Sequence, residues 1–140
     1  MPDKKPEVVS AVPAPNGVSG QPRLWLHLEG IAALGVTLFA YSALRNSWGL
    51  FAILFLVPDL SIIGYLAGPR IGAVCYNIGH TYVLPLAIGL ILYLTGRSLS
   101  LPLIWTAHIA FDRAMGYGLK YDAGFAYTHL MNLGKKRVEP

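Results

Sequence analysis

The feature that most constrains this chain is a series of four long apolar runs separated by very short breaks. Each run has about the 20 residues that an α-helix needs to cross the hydrocarbon core of a bilayer. Breaks this short make consecutive helices antiparallel neighbours. The sequence therefore predicts an all-α fold, a four-helix transmembrane bundle with up-down-up-down topology and short loops. The predicted spans are residues 24–44, 48–67, 71–95 and 100–119.

Composition favours a membrane protein over a soluble bundle. Of 140 residues, 54% are hydrophobic and only 13% are charged, against about 25% charged residues in soluble domains. A soluble bundle would carry a polar stripe along each helix, whereas these runs contain isolated polar residues. The net charge of +4 comes without basic patches interleaved with aromatic residues, so nucleic acid is not expected as a partner.

The two ends of the chain are polar and lie outside the predicted bundle of residues 24–119. Residues 1–23 are rich in Pro, Val and Ser and contain no apolar segment of the kind found in signal peptides. We expect a disordered cytoplasmic tail there and a second cytoplasmic tail over residues 120–140. The whole chain is short enough for one domain.

The distribution of basic residues predicts the orientation in the membrane. One side of the predicted bundle would carry eight basic residues and the other side only Arg45 and Arg97. Basic residues accumulate on the cytoplasmic side, so both termini are predicted to be cytoplasmic and membrane lipids to be the surrounding partners. The eight are Lys4, Lys5, Arg23, Arg70, Lys120, Lys135, Lys136 and Arg137.

Each predicted span contains an acid or a histidine, although ionisable groups in a bilayer cost roughly 2.5–3.5 kcal/mol each. With the helix rise of 1.5 Å per residue, Glu29 lies roughly 8 Å from the cytoplasmic side, Asp112 about 10 Å and Asp59 about 13 Å. The same count places His80 at about 15 Å and His108 at about 16 Å. The five groups therefore converge on one layer of the cytoplasmic half of the bundle.

Carboxylates and imidazoles together form a ligand set suited to Zn, Mn or Fe. We predict a divalent metal held by Asp59, His80, His108 and Asp112, the last two sharing a helix face because they are four residues apart. Tyr76 and Asn77 precede His80 by four and three residues, so both can support the same face.

Two classes of function are compatible with such a site, and whether the protein is an enzyme is left open. In the first, the metal activates water to attack an ester or phosphoester bond of a lipid-like substrate. Glu29 acts as general base, and Arg113 binds the anionic group of the substrate. In the second, the polar residues form a proton or ion path, a lipid-binding pocket or a structural network. An ion path through so short a chain would require a homo-oligomer.

Three further alternatives remain at this point. Asp59 follows Pro58, which is expected to kink the span, so Asp59 can be a capping residue alone. Haem held by His80 and His108 is disfavoured by the nearby carboxylates. His129 either folds over the cytoplasmic mouth of the bundle or, the simpler expectation, lies on the surface.

Four sequence segments carry a family resemblance. The chain resembles a family of small bacterial integral-membrane proteins of unknown function, with the signature Pro-Asp-Leu-Ser, Tyr-Asn-x-x-His-Thr-Tyr and Phe-Asp-Arg-x-x-Gly-Tyr-Gly-Leu-Lys-Tyr. The resemblance runs from about Leu24 to Leu133 and implies four spans in a bacterial inner membrane. The matching segments are residues 28–30, 58–73, 76–82 and 108–121.

A second, partial resemblance is to membrane-bound metal-dependent hydrolases. These have Pro-Asp-x-Asp followed by a His-Thr motif on the next helix, which Pro58-Asp59 and His80-Thr81 match. Ser61 stands where the second aspartate of that motif is expected. The resemblance implies hydrolysis at a metal centre, with Asp59 and His80 among its ligands.

Overall fold

The computed structural model describes residues 17–131, and the regular structure in that part of the chain is helical. The prediction of an all-helical fold is therefore confirmed for these residues, which also contain an isolated β-bridge between Lys120 and Thr128. Residues 1–16 and 132–140 of the two predicted tails lie outside the described residues. The elements are α1 (Gln21–Ala43), α2 (Trp48–Leu54), a 3-10 helix (Val57–Ala67), α3 (Pro69–Gly79), α4 (Val83–Leu94) and α5 (Ser100–Met115).

Proline interrupts the second predicted span. Pro58 has no N–H to donate to the carbonyl of Leu54, and its ring crowds that carbonyl, so an α-helix cannot continue through it. Helix α2 accordingly ends at Leu54, and the chain resumes as the 3-10 helix Val57–Ala67. Eleven residues is long for a 3-10 helix, and Asp59 lies in its first turn.

The third predicted span is interrupted as well, at residues 80–82. Pro85 removes the hydrogen bond to the carbonyl of Thr81 and crowds it, and helix α4 begins only at Val83. Helix α3 ends at Gly79 with His80 as its C-cap. The interruption frees the backbone of His80 for contacts with another helix.

Three helical stretches in the described part are long and apolar enough to cross a membrane: Gln21–Ala43, Trp48–Ala67 and Pro69–Leu94. The fourth predicted span does not reach that length as a helix, because α5 stops at Met115. Gly116 follows in the left-handed conformation with φ 92°, a backbone geometry that ends helices and favours glycine. Large apolar side chains point outward on the spanning stretches; Phe39 is 76% exposed and Leu66 90%, as a lipid-facing surface would be.

Helix α5 lies at the centre of the molecule. It contacts α1, α2, α4 and the 3-10 helix, and it contributes more buried residues than any other helix described. Helix α1 packs closely against it at Gly30, where an added Cβ would lie 2.5 Å from the backbone nitrogen of Ala114. The polar residues of α5 therefore face protein on most sides.

The described parts of both predicted tails pack on the helices. Helix α1 begins at Gln21, inside the segment predicted to be disordered. At the other end, Thr128 and Leu130 are fully buried, and the carbonyl oxygen of His129 accepts a hydrogen bond from Val18 at 2.7 Å. Residues 117–131 thus fold back over one end of the bundle instead of forming a free tail.

Candidate metal centre

Three different elements bring four potential metal ligands together. Asp59 comes from the 3-10 helix, His80 from the end of α3, and His108 and Asp112 from successive turns of α5. Their ligand atoms all lie within 4.8 Å of one another. This group is the one that the depth calculation predicted, apart from Glu29, and it could hold a metal ion.

The spacing of the four atoms matches a tetrahedral ion. The Nε2 atoms of His80 and His108 are 3.2 Å apart. Each lies near both carboxylates, at 3.3 to 3.9 Å from Asp59 Oδ1 or Asp112 Oδ2. A tetrahedral ion with metal–ligand bonds of about 2.1 Å separates neighbouring ligand atoms by about 3.4 Å. Five of the six separations lie within about 0.5 Å of that value, and the two carboxylate oxygens lie within 4.8 Å of each other.

The hydrogen bonding of His80 turns its second nitrogen toward the group. Its Nδ1 lies 2.9 Å from the carbonyl oxygen of Tyr76. A carbonyl only accepts, so Nδ1 carries the hydrogen, and neutral His80 presents a lone pair on Nε2. The ring also stacks on Tyr76, with centroids 3.7 Å apart and an interplanar angle of 8°. Metal-binding histidines are typically fixed by such a backbone contact through their other nitrogen.

The four potential ligands together carry a negative charge that a cation would neutralise. Two carboxylates and two neutral imidazoles carry a formal charge of −2. Within residues 17–131, the ion-pair partners of Asp59 and Asp112 are the two histidines alone. Asp112 is additionally held by the Tyr76 hydroxyl, which donates to Oδ2 at 3.3 Å. Since buried charges are costly without compensation, a divalent ion or added protons would balance the site.

Burial differs among the four residues. His80 and His108 are at most 2% exposed and Asp112 is 7% exposed, whereas the side chain of Asp59 is 39% exposed. Nδ1 of His108 is buried and has no hydrogen-bond partner in the described part of the chain. His80 is therefore the better-oriented histidine, and Asp59 is the ligand most open to other molecules.

The two residues predicted to be catalytic lie outside the group. Glu29 is exposed on α1, beside Gly30, which faces α5. Arg113 donates to the backbone carbonyl oxygens of His80 and Tyr117, at 2.7 and 2.6 Å. Its guanidinium thus holds the interruption after α3 against the end of α5. The geometry assigns Arg113 a positioning role and gives Glu29 no place near the four ligands.

Lys120 is the residue that sequence reasoning missed, because it was assigned to the tail. Its backbone exchanges two hydrogen bonds with the side chain of Asn77, at 2.7 and 2.9 Å, so Asn77 supports Lys120 and not His80. The Lys120 side chain is 5% exposed, and its burial lowers the pKa of the ammonium to about 8. The charged residue in the apolar sequence Gly118-Leu119-Lys120-Tyr121 was the available signal.

A cavity of about 430 Å³ reaches the group from one side. Asp59, His108, Asp112 and Lys120 supply its polar lining. The rest of the wall is aromatic or aliphatic: Phe55, Leu56, Ile62, Tyr76, Phe111, Tyr117 and Phe125. His129 is not among the lining residues; its Nδ1 accepts a hydrogen bond from the Leu119 amide at 2.8 Å and so holds the fold of the terminal segment.

Comparison with known proteins places the chain in a family. Residues 23–133 match the family described as "Domain of unknown function (DUF4260)", and the chain belongs to it. No curated protein and no solved structure matches the chain. The family description names no activity.

Proposed function

We propose that this protein is a metal-dependent hydrolase of the membrane, which cleaves an ester or phosphoester bond of a lipid-like substrate at Asp59, His80, His108 and Asp112. The observation that carries the proposal is the close spacing of four ligand atoms, five of whose six separations are 3.2 to 3.9 Å, with Asp59, His108 and Asp112 in the wall of a cavity. Nitrogen and oxygen donors suit Zn, Mn or Fe.

The chemistry follows from what such an ion does to water. A divalent ion held by these residues with a further coordination position for water would lower the pKa of that water toward neutrality and polarise the bond to be cleaved. One oxygen of the half-exposed Asp59 belongs to the ligand group, and its second oxygen would accept the proton of the water. The water oxygen would then form a bond to carbon or phosphorus, the ester bond would break, and the leaving alkoxide would take up the proton held by Asp59.

The surroundings of the cavity favour an amphiphilic substrate. Phe55, Leu56, Ile62 and Phe111 line it next to the carboxylates, and Leu56 and Ile62 are exposed on the outer surface. A substrate can therefore keep its hydrocarbon chain in the lipid and place its polar end beside Asp59 and Asp112.

We place the protein in a bacterial inner membrane, with both termini cytoplasmic and lipids as its partners. The contact between Val18 and His129 brings the two described ends of the chain to the same end of the bundle. The excess of basic residues predicted for that side then orients it toward the cytoplasm.

A non-enzymatic proton-binding network is the second candidate. The specific observation is the 3.2 Å distance between the Nε2 atoms of His80 and His108. A proton shared there, with a second on one of the two carboxylates, would neutralise the group without any metal. As an ion path this version requires a homo-oligomer, and it predicts a proton leak in proteoliposomes that Asp59→Asn abolishes.

Metal content separates the two candidates. The full chain would be purified in a mild detergent, loaded with Zn, Mn or Fe in turn, and analysed by elemental mass spectrometry as wild type, Asp59→Asn, His80→Ala and Asp112→Asn. Glu29→Gln is the matched control, since it makes the same carboxylate-to-amide change at an exposed position. We expect about one ion per wild-type and Glu29→Gln chain, and its loss in the other variants.

The metal-loaded chain would then be assayed on chromogenic p-nitrophenyl esters and phosphoesters in mixed micelles. Hydrolysis that disappears in Asp59→Asn but persists in Glu29→Gln supports the proposal. A folded wild type that takes up none of the three metals would overturn it and leave the proton network.

A further inference from the structure

We propose that Lys120 is the anion-binding group of this site, and that the substrate is a phosphoester amphiphile and not a neutral acyl ester. The cleavage of that substrate rests on the proposed function. The binding of its anionic group by Lys120 does not, because the residues concerned are present with or without a metal.

The backbone of Lys120 is fixed to the helix that carries His80. Its N–H donates to Asn77 Oδ1 at 2.7 Å, and its carbonyl accepts from Asn77 Nδ2 at 2.9 Å. Asn77 lies in α3, three residues before His80. This double hydrogen bond sets the position of the ammonium relative to the ligand group.

The ammonium itself is buried and incompletely paired. Nζ donates one hydrogen bond, to the carbonyl of Phe125 at 2.8 Å, and it lies 3.8 Å from the centroid of the Phe125 ring and 5.0 Å from that of Tyr76. Within residues 17–131 no carboxylate lies within ion-pair distance of it. Two of its three N–H groups therefore have no acceptor there, which is costly for a buried cation.

Lys120 lines the same cavity as Asp59, His108 and Asp112. A ligand that brings an anionic oxygen into this cavity would supply the missing acceptor. The other basic residue near the site does not compete for it, because Arg113 already donates to two backbone carbonyls.

The kind of anion follows from what lies on the two sides of the cavity, which are the four-ligand group and Lys120. A phosphodiester has two non-bridging oxygens, so one can face the four-ligand group while the other accepts from Lys120. Charge that develops on these oxygens during cleavage would be stabilised by both. A neutral acyl ester offers no charge to Lys120. Free phosphate shares the charge but would leave the apolar wall of the cavity uncovered.

Binding of three probes to the full chain in a neutral detergent tests the inference. Dodecyl phosphate carries both the charge and the chain, 1-O-dodecylglycerol only the chain, and inorganic phosphate only the charge. Affinities would be measured by calorimetry, with and without loaded zinc, for wild type, Lys120→Met and Lys120→Arg. Arg70→Met is the matched control, since it removes one exposed positive charge.

We expect wild type to bind dodecyl phosphate about tenfold or more tightly than 1-O-dodecylglycerol, the effect of one charge-assisted hydrogen bond, and to bind inorganic phosphate weakly. Lys120→Met should lose the preference, Lys120→Arg should recover part of it, and Arg70→Met should keep it. A purely structural role of Lys120 would weaken binding of both amphiphiles equally.

Equal affinity of the two amphiphiles for wild type, or a preference that survives Lys120→Met, overturns the inference. The wild-type comparison decides the matter even if Lys120→Met does not fold. If the protein takes up no metal but prefers dodecyl phosphate through Lys120, the proposed hydrolase activity is overturned and the anion site is kept. If it shows metal-dependent hydrolysis but no preference for dodecyl phosphate, the anion site is overturned and the proposed hydrolase activity is kept.

Discussion

Two cavities of nearly equal volume lie against different faces of the 3-10 helix Val57–Ala67, and they differ in how many of their polar groups are already paired within the protein. The polar cavity, with Asp59, Asp112 and Lys120 in its wall, measures about 430 Å³. The apolar cavity, with Val57, Pro58 and Ser61 in its wall, measures about 400 Å³. Size therefore does not distinguish a functional site in this molecule.

In the apolar cavity the few polar groups are already paired within the protein. The Ser61 hydroxyl donates to the Pro58 carbonyl at 2.7 Å, and the Trp105 indole donates to the Gly79 carbonyl at 2.7 Å. In the polar cavity, and within residues 17–131, the two carboxylates have only histidines as ion-pair partners, and the Lys120 ammonium has one acceptor for its three N–H groups. The first cavity suits hydrocarbon, and the second suits a metal and an anionic ligand.

The largest expected difference between the cavities concerns metal binding. His80→Ala should weaken zinc binding at least about 100-fold, because it removes an oriented ligand. Trp105→Phe, an aromatic change at the wall of the apolar cavity, should leave zinc binding within about twofold of wild type. The indole of Trp105 donates its hydrogen bond to the Gly79 carbonyl and not to one of the four ligands. Competition titration with a zinc chelator measures both, and equal losses in the two variants would contradict the distinction.

A smaller effect is expected from the support of Asp112. Tyr76→Phe removes the hydroxyl that donates to Asp112 Oδ2 but keeps the ring stacked on His80. We expect zinc affinity to fall about tenfold, the lower end for a residue that orients a ligand. Tyr65→Phe is the matched control, because the buried Tyr65 hydroxyl has no partner in the described part of the chain. A similar loss in both variants would show that Tyr76 acts only through packing.

Anion binding in the polar cavity should also depend on pH. Burial lowers the pKa of Lys120 to about 8 in the folded protein, against about 10.4 for an unperturbed lysine. Dodecyl phosphate binding should therefore fall as the pH rises through about 8, while 1-O-dodecylglycerol binding should stay constant. Calorimetry between pH 6 and 10, with Lys120→Arg as the control that keeps its charge, measures the change.

The lowered pKa of Lys120 also affects stability, and the pH dependence of stability has the opposite sign to that of ligand binding. Between the folded-state pKa near 8 and the unfolded value, the unfolded chain binds more protons, so the Lys120 contribution to the free energy of unfolding rises with pH over that interval. Ligand binding and stability should thus move in opposite directions. Binding that is unchanged up to pH 10 would place the anion elsewhere.

The smallest effect is expected in the apolar cavity. Ser61→Ala removes a hydroxyl whose hydrogen bond stays within one turn of the 3-10 helix, and it should change the free energy of unfolding by about 1 kcal/mol or less. Zinc content and dodecyl phosphate binding should not change. A loss of either in Ser61→Ala would mean that the two cavities work as one site.

The sequence was sufficient for the helical class and for the grouping of the four potential ligands. Apolar runs with short breaks indicate helices, and a constant rise per residue converts sequence position into depth. Depth does not give rotation about the helix axis, which is why Glu29 was placed in the site although it points outward. The same limitation applies to Arg113, whose position next to Asp112 in sequence turns it toward the carbonyl of His80.

The remaining differences came from contacts between segments distant in sequence. Pro58 indicated an interruption, but not that α2 would continue as a long 3-10 helix, and the interruption before Pro85 was not predicted. Lys120 could not be placed from periodicity, because it follows the end of α5 and is positioned by Asn77, 43 residues away. Such contacts have no local signature in the sequence.

X-ray absorption at the zinc edge of the loaded wild-type chain tests the central claim most directly. Our account predicts one zinc per chain with four protein ligands and one water oxygen at about 2.0–2.2 Å, including the multiple-scattering pattern of two imidazoles. In His80→Ala the signal of one imidazole should be lost. A zinc shell without imidazole, or one that contains the sulfur of Cys75, would contradict the site described here.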